Sequence, residues 1–180
     1  MKRNVRSRSL RLLCRTALLC ALLCVLSVLT LPIGAVPVTL SMLGVFLCGL
    51  LLPPTEAALA VLGYLVLGAL GLPVFSAMQG GIGVLGGLTG GFLWGYLPAV
   101  LVLSVFCRPM PPSRRTVPGL VGACAVSLLL CYACGTVQFM LISHSTLPRA
   151  LAVCVLPFLL PDIFKIAAAV GIRTHISHRL

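Results

Sequence analysis

Apolar residues run through this chain in long blocks, and the proline, glycine and basic clusters between them mark out six segments. The first block, 16–31, follows a basic tail, 1–15, that carries Lys2, Arg3, Arg6, Arg8, Arg11 and Arg15. Pro32, Gly34 and Pro37 break the chain before a second block over 40–52, which Pro53 and Pro54 stop. The third, 55–70, opens with Thr55 as N-cap and Glu56 in the first turn, where a carboxylate meets the positive end of a helix. It ends at Gly71-Leu72-Pro73, a helix stop. The pattern predicts three further helices over 84–106, 117–142 and 149–172, with Pro98 kinking the first of them. A proline-rich basic loop with Arg108, Arg114 and Arg115 and a polar connection with His144 separate these helices, and 173–180 forms a second basic tail.

The blocks approach the roughly 20 residues that a membrane span needs. Composition agrees: only 8% of the residues are charged and 60% are hydrophobic, with a mean hydropathy of +1.19. A water-facing domain carries roughly a quarter charged residues, so the chain reads as an all-α integral membrane protein with six transmembrane helices. The block 16–31 lacks a small-x-small cleavage pattern at its end and reads as a first span rather than a signal peptide. The net charge of +11 would suggest nucleic acid in a soluble protein, but here the basic residues alternate by loop. Both tails and the Arg108–Arg115 loop fall on one side, and the opposite loops carry only Arg149. By the positive-inside rule, both termini are cytoplasmic. No internal repeat of the transporter type is evident.

The central stretch from Pro73 to Gly95 departs from this pattern because glycine dominates it. Glycine is a poor helix residue, so the run implies close packing or contact with a ligand. Residues 73–82 read as a loop folded over something. Gly83, Gly87, Gly91 and Gly95, spaced by four, predict a helix face that a neighbouring backbone can approach closely. Ala17 and Ala21 form a second small-x-x-x-small face in the first helix.

The acidic residues are Glu56 and Asp162. Asp162 and Lys165, three apart, share a face of the last helix. A charge at mid-bilayer costs about 2.5–3.5 kcal/mol on insertion scales, so such residues face a bundle interior or a cavity. The pair either locks the helix into the bundle or grips a polar ligand; intramembrane charges default to the second role. Pro157 and Pro161 flank it and loosen the helix. Gln79 is either a solvated loop side chain or a donor and acceptor for an amide-like ligand. Thr89 bonds its own helix turn or a ligand. Phe75, Phe92, Trp94 and Tyr96 are first of all lipid-facing or core aromatics, and Gln138 makes an interhelical hydrogen bond or a site.

Other chemistry finds no support. Most of the nine cysteines lie in apolar runs as small hydrophobic residues, and the lone C-x-x-C at Cys131 and Cys134 has no second pair at zinc spacing. Gly81-x-Gly83-x-x-Gly86 lacks the preceding strand and following acid of a dinucleotide site, and no phosphate-binding G-x-x-x-x-G-K-S/T occurs. The histidines lie in loops or the tail, which gives little support to a catalytic triad, and His175-x-x-His178 reads as a solvated tail in preference to a metal contact. No enzymatic activity and no cofactor are expected.

Three motifs in order carry a resemblance. They are Pro37-Val38-Thr39-Leu40; Gly63-Tyr64-Leu65 through Gly71-Leu72-Pro73-Val74-Phe75 and the glycine stretch; and Leu156-Pro157-Phe158-Leu159-Leu160-Pro161-Asp162-Ile163-Phe164-Lys165. Over about 17–168 the chain resembles the BioY family, the substrate-binding (S) components of energy-coupling-factor (ECF) biotin transporters. The resemblance implies a six-helix bundle that binds biotin from the outer side, among helices 4 to 6, at the cytoplasmic membrane. It implies Asp162 and Lys165 as ligand contacts, with Gln79, Gly80, Gly81, Thr89 and Phe75 completing the candidate substrate-binding residues. Ala17 and Ala21 resemble the signature that docks these subunits on a transmembrane coupling subunit (EcfT or BioN type). Two ABC ATPases (EcfA or BioM type) would hydrolyse ATP. The chain departs from the family pattern at Leu88, where a proline is usual, and at Leu160-Pro161-Asp162, where Pro-Gly-Asp is usual. The alternatives are an S component for another vitamin and a membrane scaffold whose glycine face and charge pair serve packing alone.

Overall fold

The computed structural model describes residues 2–31, 37–107 and 117–179. The breaks at Pro32 and Gly34, the loop arginines Arg108, Arg114 and Arg115, and the side chains of residues 2–9, 31 and 177–179 lie outside this description. Eight α-helices follow in order among the described residues: α1 Lys2–Val28, α2 Ser41–Leu51, α3 Pro54–Ala69, α4 Ile82–Leu85, α5 Gly90–Cys107, α6 Val117–Ser143, α7 Leu147–Cys154 and α8 Leu156–Arg179. Two-residue strands β1 (Thr30–Leu31) and β2 (Val38–Thr39) pair antiparallel, Thr30 with Thr39 and Leu31 with Val38, and close the α1–α2 connection.

By length and composition, 10–28 of α1, α5 and α6 can each cross a membrane, and α7 with α8, bent by 41° at their break, makes a fourth candidate. At 1.5 Å per residue, α2 reaches about 17 Å and α3 about 24 Å, short of the ~30 Å hydrocarbon core. Among the described residues, length and composition therefore support three or four spans, and α2 and α3 fall short of the full crossings expected of them. The protein is a multi-pass membrane protein. The short α2 is its centre. Nine of its eleven residues are buried, and its glycines admit neighbours: a Cβ on Gly44 would lie 2.8 Å from Leu23 of α1, and one on Gly49 2.8 Å from Leu103 of α5.

Four expectations need correction. Helix 1 ends at Val28, not 31, because the chain turns into β1. Thr55 is not the N-cap of α3; Pro53 is, with Pro54 in the first turn and the Thr55 hydroxyl bonded to Glu56. The single helix expected over 84–106 is α4 and α5 separated by a break at 86–89. Gln138 holds that break, donating to the carbonyls of Leu85 (3.0 Å) and Gly87 (2.9 Å), and the Trp94 indole N–H also donates to Leu85 (3.3 Å). These bonds satisfy carbonyls that a broken helix leaves without partners. The helix expected over 149–172 is α7 and the longer α8, which continues through the supposed tail to Arg179. Helix α5, in turn, runs on through Pro98.

The expected glycine face therefore survives in part. A Cβ on Gly83 would meet nothing within 4 Å, and one on Gly87 only the local backbone. Gly91 and Gly95 of α5 do face α6: a Cβ on Gly91 would lie 2.5 Å from the Cys134 carbonyl oxygen, and one on Gly95 3.1 Å from Cys131 Cα. Gly135 of α6 makes room in return for the Phe92 ring. Gly91→Ala should destabilise the protein by about 1–3 kcal/mol, the usual cost of overpacking. Gly122→Ala, where a Cβ meets open space on the same α6, should leave stability unchanged or slightly raised. Thermal unfolding in detergent checks both, and equal midpoints would contradict the close seam.

Candidate functional site

Helix α8 begins at a break after Val155 and contains Pro161, which has no N–H to give the Pro157 carbonyl. One turn brings Asp162 and Lys165 to the same inward face, where they are 2% and 5% exposed. Lys165 Nζ donates to Asp162 Oδ1 at 2.5 Å, and the Tyr132 hydroxyl of α6 donates to Oδ2 at 2.5 Å. Both carboxylate oxygens are thus held, one by a cation and one by a neutral donor. Removing one member of a buried pair leaves an uncompensated charge and costs about 3–5 kcal/mol, so the three side chains act as a unit joining α8 to α6.

The unit borders a central cavity. Phe92 and Tyr96 of α5 and Phe158 of α8 form its apolar walls, with the Phe92 and Phe158 rings stacked at 6.1 Å between centroids. Phe75 closes it from the loop after α3. A second polar chain enters from the other side: Ser41 shares hydrogen bonds of 2.5 Å with both Thr39 and the Tyr96 hydroxyl. The cavity volume is about 60 Å³, above the roughly 10–15 Å³ needed to admit a water molecule. An apolar, aromatic pocket with a few convergent polar groups is the usual form of a small-molecule site.

The loop above the cavity is fixed to the end of α3. Gly71 (φ +98°) ends that helix: its N–H bonds Gly68 and that of Leu72 bonds Leu67, a pattern that satisfies the last carbonyls. The chain then doubles back. Gly81 (φ +99°) donates to the Gly68 carbonyl at 2.7 Å, and a Cβ on Gly80 would strike the Leu72 carbonyl oxygen. Gly68 also leaves the notch that receives the Phe75 ring, which meets Tyr64 edge-on at 5.4 Å.

Of the residues singled out in the sequence, Asp162, Lys165, Phe75 and Thr89 come together on this one cavity. Gln79 and Gly80 line a shallow outer groove instead, which shares Ser76 and Thr89 with the cavity. Gly81 lines neither and serves the backbone turn. Ala17 and Ala21 are exposed on the outer side of α1. Sequence reasoning passed over Tyr132, Ser41 and Ser76. Tyr132 carried a usable signal, a hydroxyl in the middle of an apolar block; Ser41 and Ser76 did not. Among the described residues no group of His, Cys, Asp and Glu side chains could hold a metal, and the cysteines are free thiols.

The BioY family profile matches residues 1–180. A biotin transporter BioY of Thermotoga maritima is 31% identical over 166 residues, 91% of this chain and 95% of that protein. BioY2 of Lactococcus lactis subsp. cremoris, also a biotin transporter, is 36% identical over 162 residues, 90% of this chain and 86% of its own. The crystal structure of the S-component for biotin from an ECF-type ABC transporter superimposes with a TM-score of 0.90 at 23% identity, covering 96% of this chain and 93% of that one. That likeness establishes the fold, and the match of the profile along the whole length establishes the kinship: the chain belongs to the BioY family.

Proposed function

We propose that this protein binds biotin and serves its uptake as the substrate-specific subunit of an ECF-type transporter. The observation that carries the reading is the buried Asp162–Lys165 pair opening on an aromatic cavity. Biotin is an apolar bicycle with a ureido group and a carboxylate tail, and the cavity offers aromatic walls and one ion pair in matching proportion. Relatives named as biotin transporters support the same reading.

In this reading the substrate contacts are Asp162, Lys165, Thr89 and Phe75, with Gln79, Gly80 and Gly81 forming the cover above them. The chain crosses the cytoplasmic membrane six times, α2 and α3 making short crossings and α7 with α8 one bent crossing. The basic loops favour cytoplasmic termini. The exposed small-residue face at Ala17 and Ala21 docks on a transmembrane coupling subunit of the EcfT or BioN type. Two ATPases of the EcfA or BioM type supply energy, consistent with a chain that carries no phosphate-binding motif of its own.

A thermal-shift screen of the detergent-solubilised protein against water-soluble vitamins tests the reading. Stabilisation by biotin alone is expected. Stabilisation by a different vitamin, or by none, contradicts it. Asp162→Asn and Lys165→Ala should each weaken biotin binding at least about tenfold, or 1.4 kcal/mol, in calorimetric titration; wild-type affinity in both removes the pair from the site. Ala17→Trp with Ala21→Trp should abolish co-purification with the coupling subunits while leaving biotin affinity unchanged, and retained co-purification would move the docking face elsewhere.

A further inference from the structure

The turn that covers the cavity is strained. Ala77 (φ 55°) and Met78 (φ 57°), neither of them glycine, both stand in the left-handed region. Side chains meet a steric cost there, and two such residues in succession are uncommon. The turn brings Phe75 to the cavity and, beside it, Ser76, whose buried hydroxyl has no partner among the described residues. Its internal bonds run from the Phe75 N–H to the Gln79 carbonyl at 2.9 Å and from the Gln79 N–H to the Ser76 carbonyl at 3.2 Å. Neither anchors it to the rest of the molecule. On one flank the anchor is the end of α3, through the Phe75 ring and the Gly81 N–H. On the other flank it is Thr30 Oγ1, which accepts from the Ala77 N–H at 3.1 Å.

Thr30 is fitted for this bond. Its hydroxyl lies just past the end of α1 and donates to the Val28 carbonyl at 3.0 Å, one of those that a helix end leaves without a partner. With its proton committed there, the oxygen offers a lone pair to Ala77. The Thr30 backbone is itself held in β1, opposite Thr39 of β2. Thr39 in turn bonds through Ser41 to the Tyr96 hydroxyl in the cavity wall. A chain of contacts thus runs from the cavity wall to its cover by way of Thr30. Yet Thr30 does not line the cavity. It lines an apolar groove on the flank, between the α1–α2 connection and α8. The bond to Ala77 is exposed, so water can replace it, and the strained turn is then free to relax. Backbone strain of this kind concentrates at ligand clamps and switch segments.

Resting on the biotin reading above, we propose that Thr30 is a positioning residue: by accepting from Ala77 it holds the turn in place over the cavity and slows the departure of bound biotin. Release of labelled biotin from the purified full chain, chased with unlabelled biotin, tests it. Thr30→Val keeps the shape and the strand preference and loses the acceptor. It should speed release about fivefold, the net weight of one neutral hydrogen bond. Thr30→Ser, which keeps the oxygen, should stay within about twofold of the wild type. Amide exchange of the ligand-free protein is the second readout. In Thr30→Val the Ala77 N–H should exchange faster, while the Gly81 N–H, bonded to Gly68, keeps its rate. Wild-type release in Thr30→Val overturns the assignment. So does equal acceleration in Thr30→Ser, or an Ala77 exchange rate that does not change. Should Thr30→Val not fold, Thr30→Ala, read the same way, decides. A wild-type protein that binds no biotin overturns the biotin reading itself; the tie between Thr30 and the turn then stands or falls on the Ala77 exchange, which needs no ligand.

Discussion

An ion pair in a chain this apolar has to be made tolerable, and the packing around α8 does so. Asp162 takes a cation on one oxygen and a tyrosine hydroxyl on the other. Tyr132 reaches it because α6 packs tightly against α5 through Gly91, Gly95 and Gly135. The same seam turns Phe92 toward Phe158 and builds the aromatic wall beside the pair. Chemistry and packing therefore share a cause. Widening the α5–α6 seam would displace Tyr132 from the carboxylate as surely as it would open a gap.

The break between α4 and α5 follows the same logic at the other end of the cavity. A continuous helix over 84–106 would have satisfied its own carbonyls. The broken one depends on Gln138 and Trp94 to do so. The break sets Thr89 at the cavity, and the turn pinned to α3 sets Phe75 and Ser76 there. Both segments owe their shape to glycines used for close approach: Gly68 receives Phe75, and Gly90 fits beneath the Leu85 carbonyl.

Much of this was legible in the chain. Hydrophobic blocks and proline punctuation located the main helices, because a span must be long and apolar. Asp162 and Lys165 stood out, because a charge inside such a block is expensive. What escaped was whatever depended on the third dimension. Local spacing placed Gly83 and Gly87 on the face of Gly91 and Gly95, yet the helix between them breaks, and side chains from elsewhere in the chain, Trp94 and the far more distant Gln138, satisfy the carbonyls at that break. The burial of α2 was hidden too, since its glycines announce close contact without naming the helix that makes it. Tyr132 and Ser76 gained meaning only when the fold brought one to the carboxylate and left the other unpaired.

Asp162 is the sole aspartate in the sequence, so protein made by cell-free synthesis with aspartate labelled with ¹³C at its side-chain carboxyl, with metabolic conversion of aspartate blocked, carries a single reporter at the centre of the proposed site. Its carboxyl resonance should move as biotin is added and reach a plateau with the same saturation curve as binding. A resonance that stays fixed while biotin binds would place the ligand elsewhere and leave the buried pair as a structural lock.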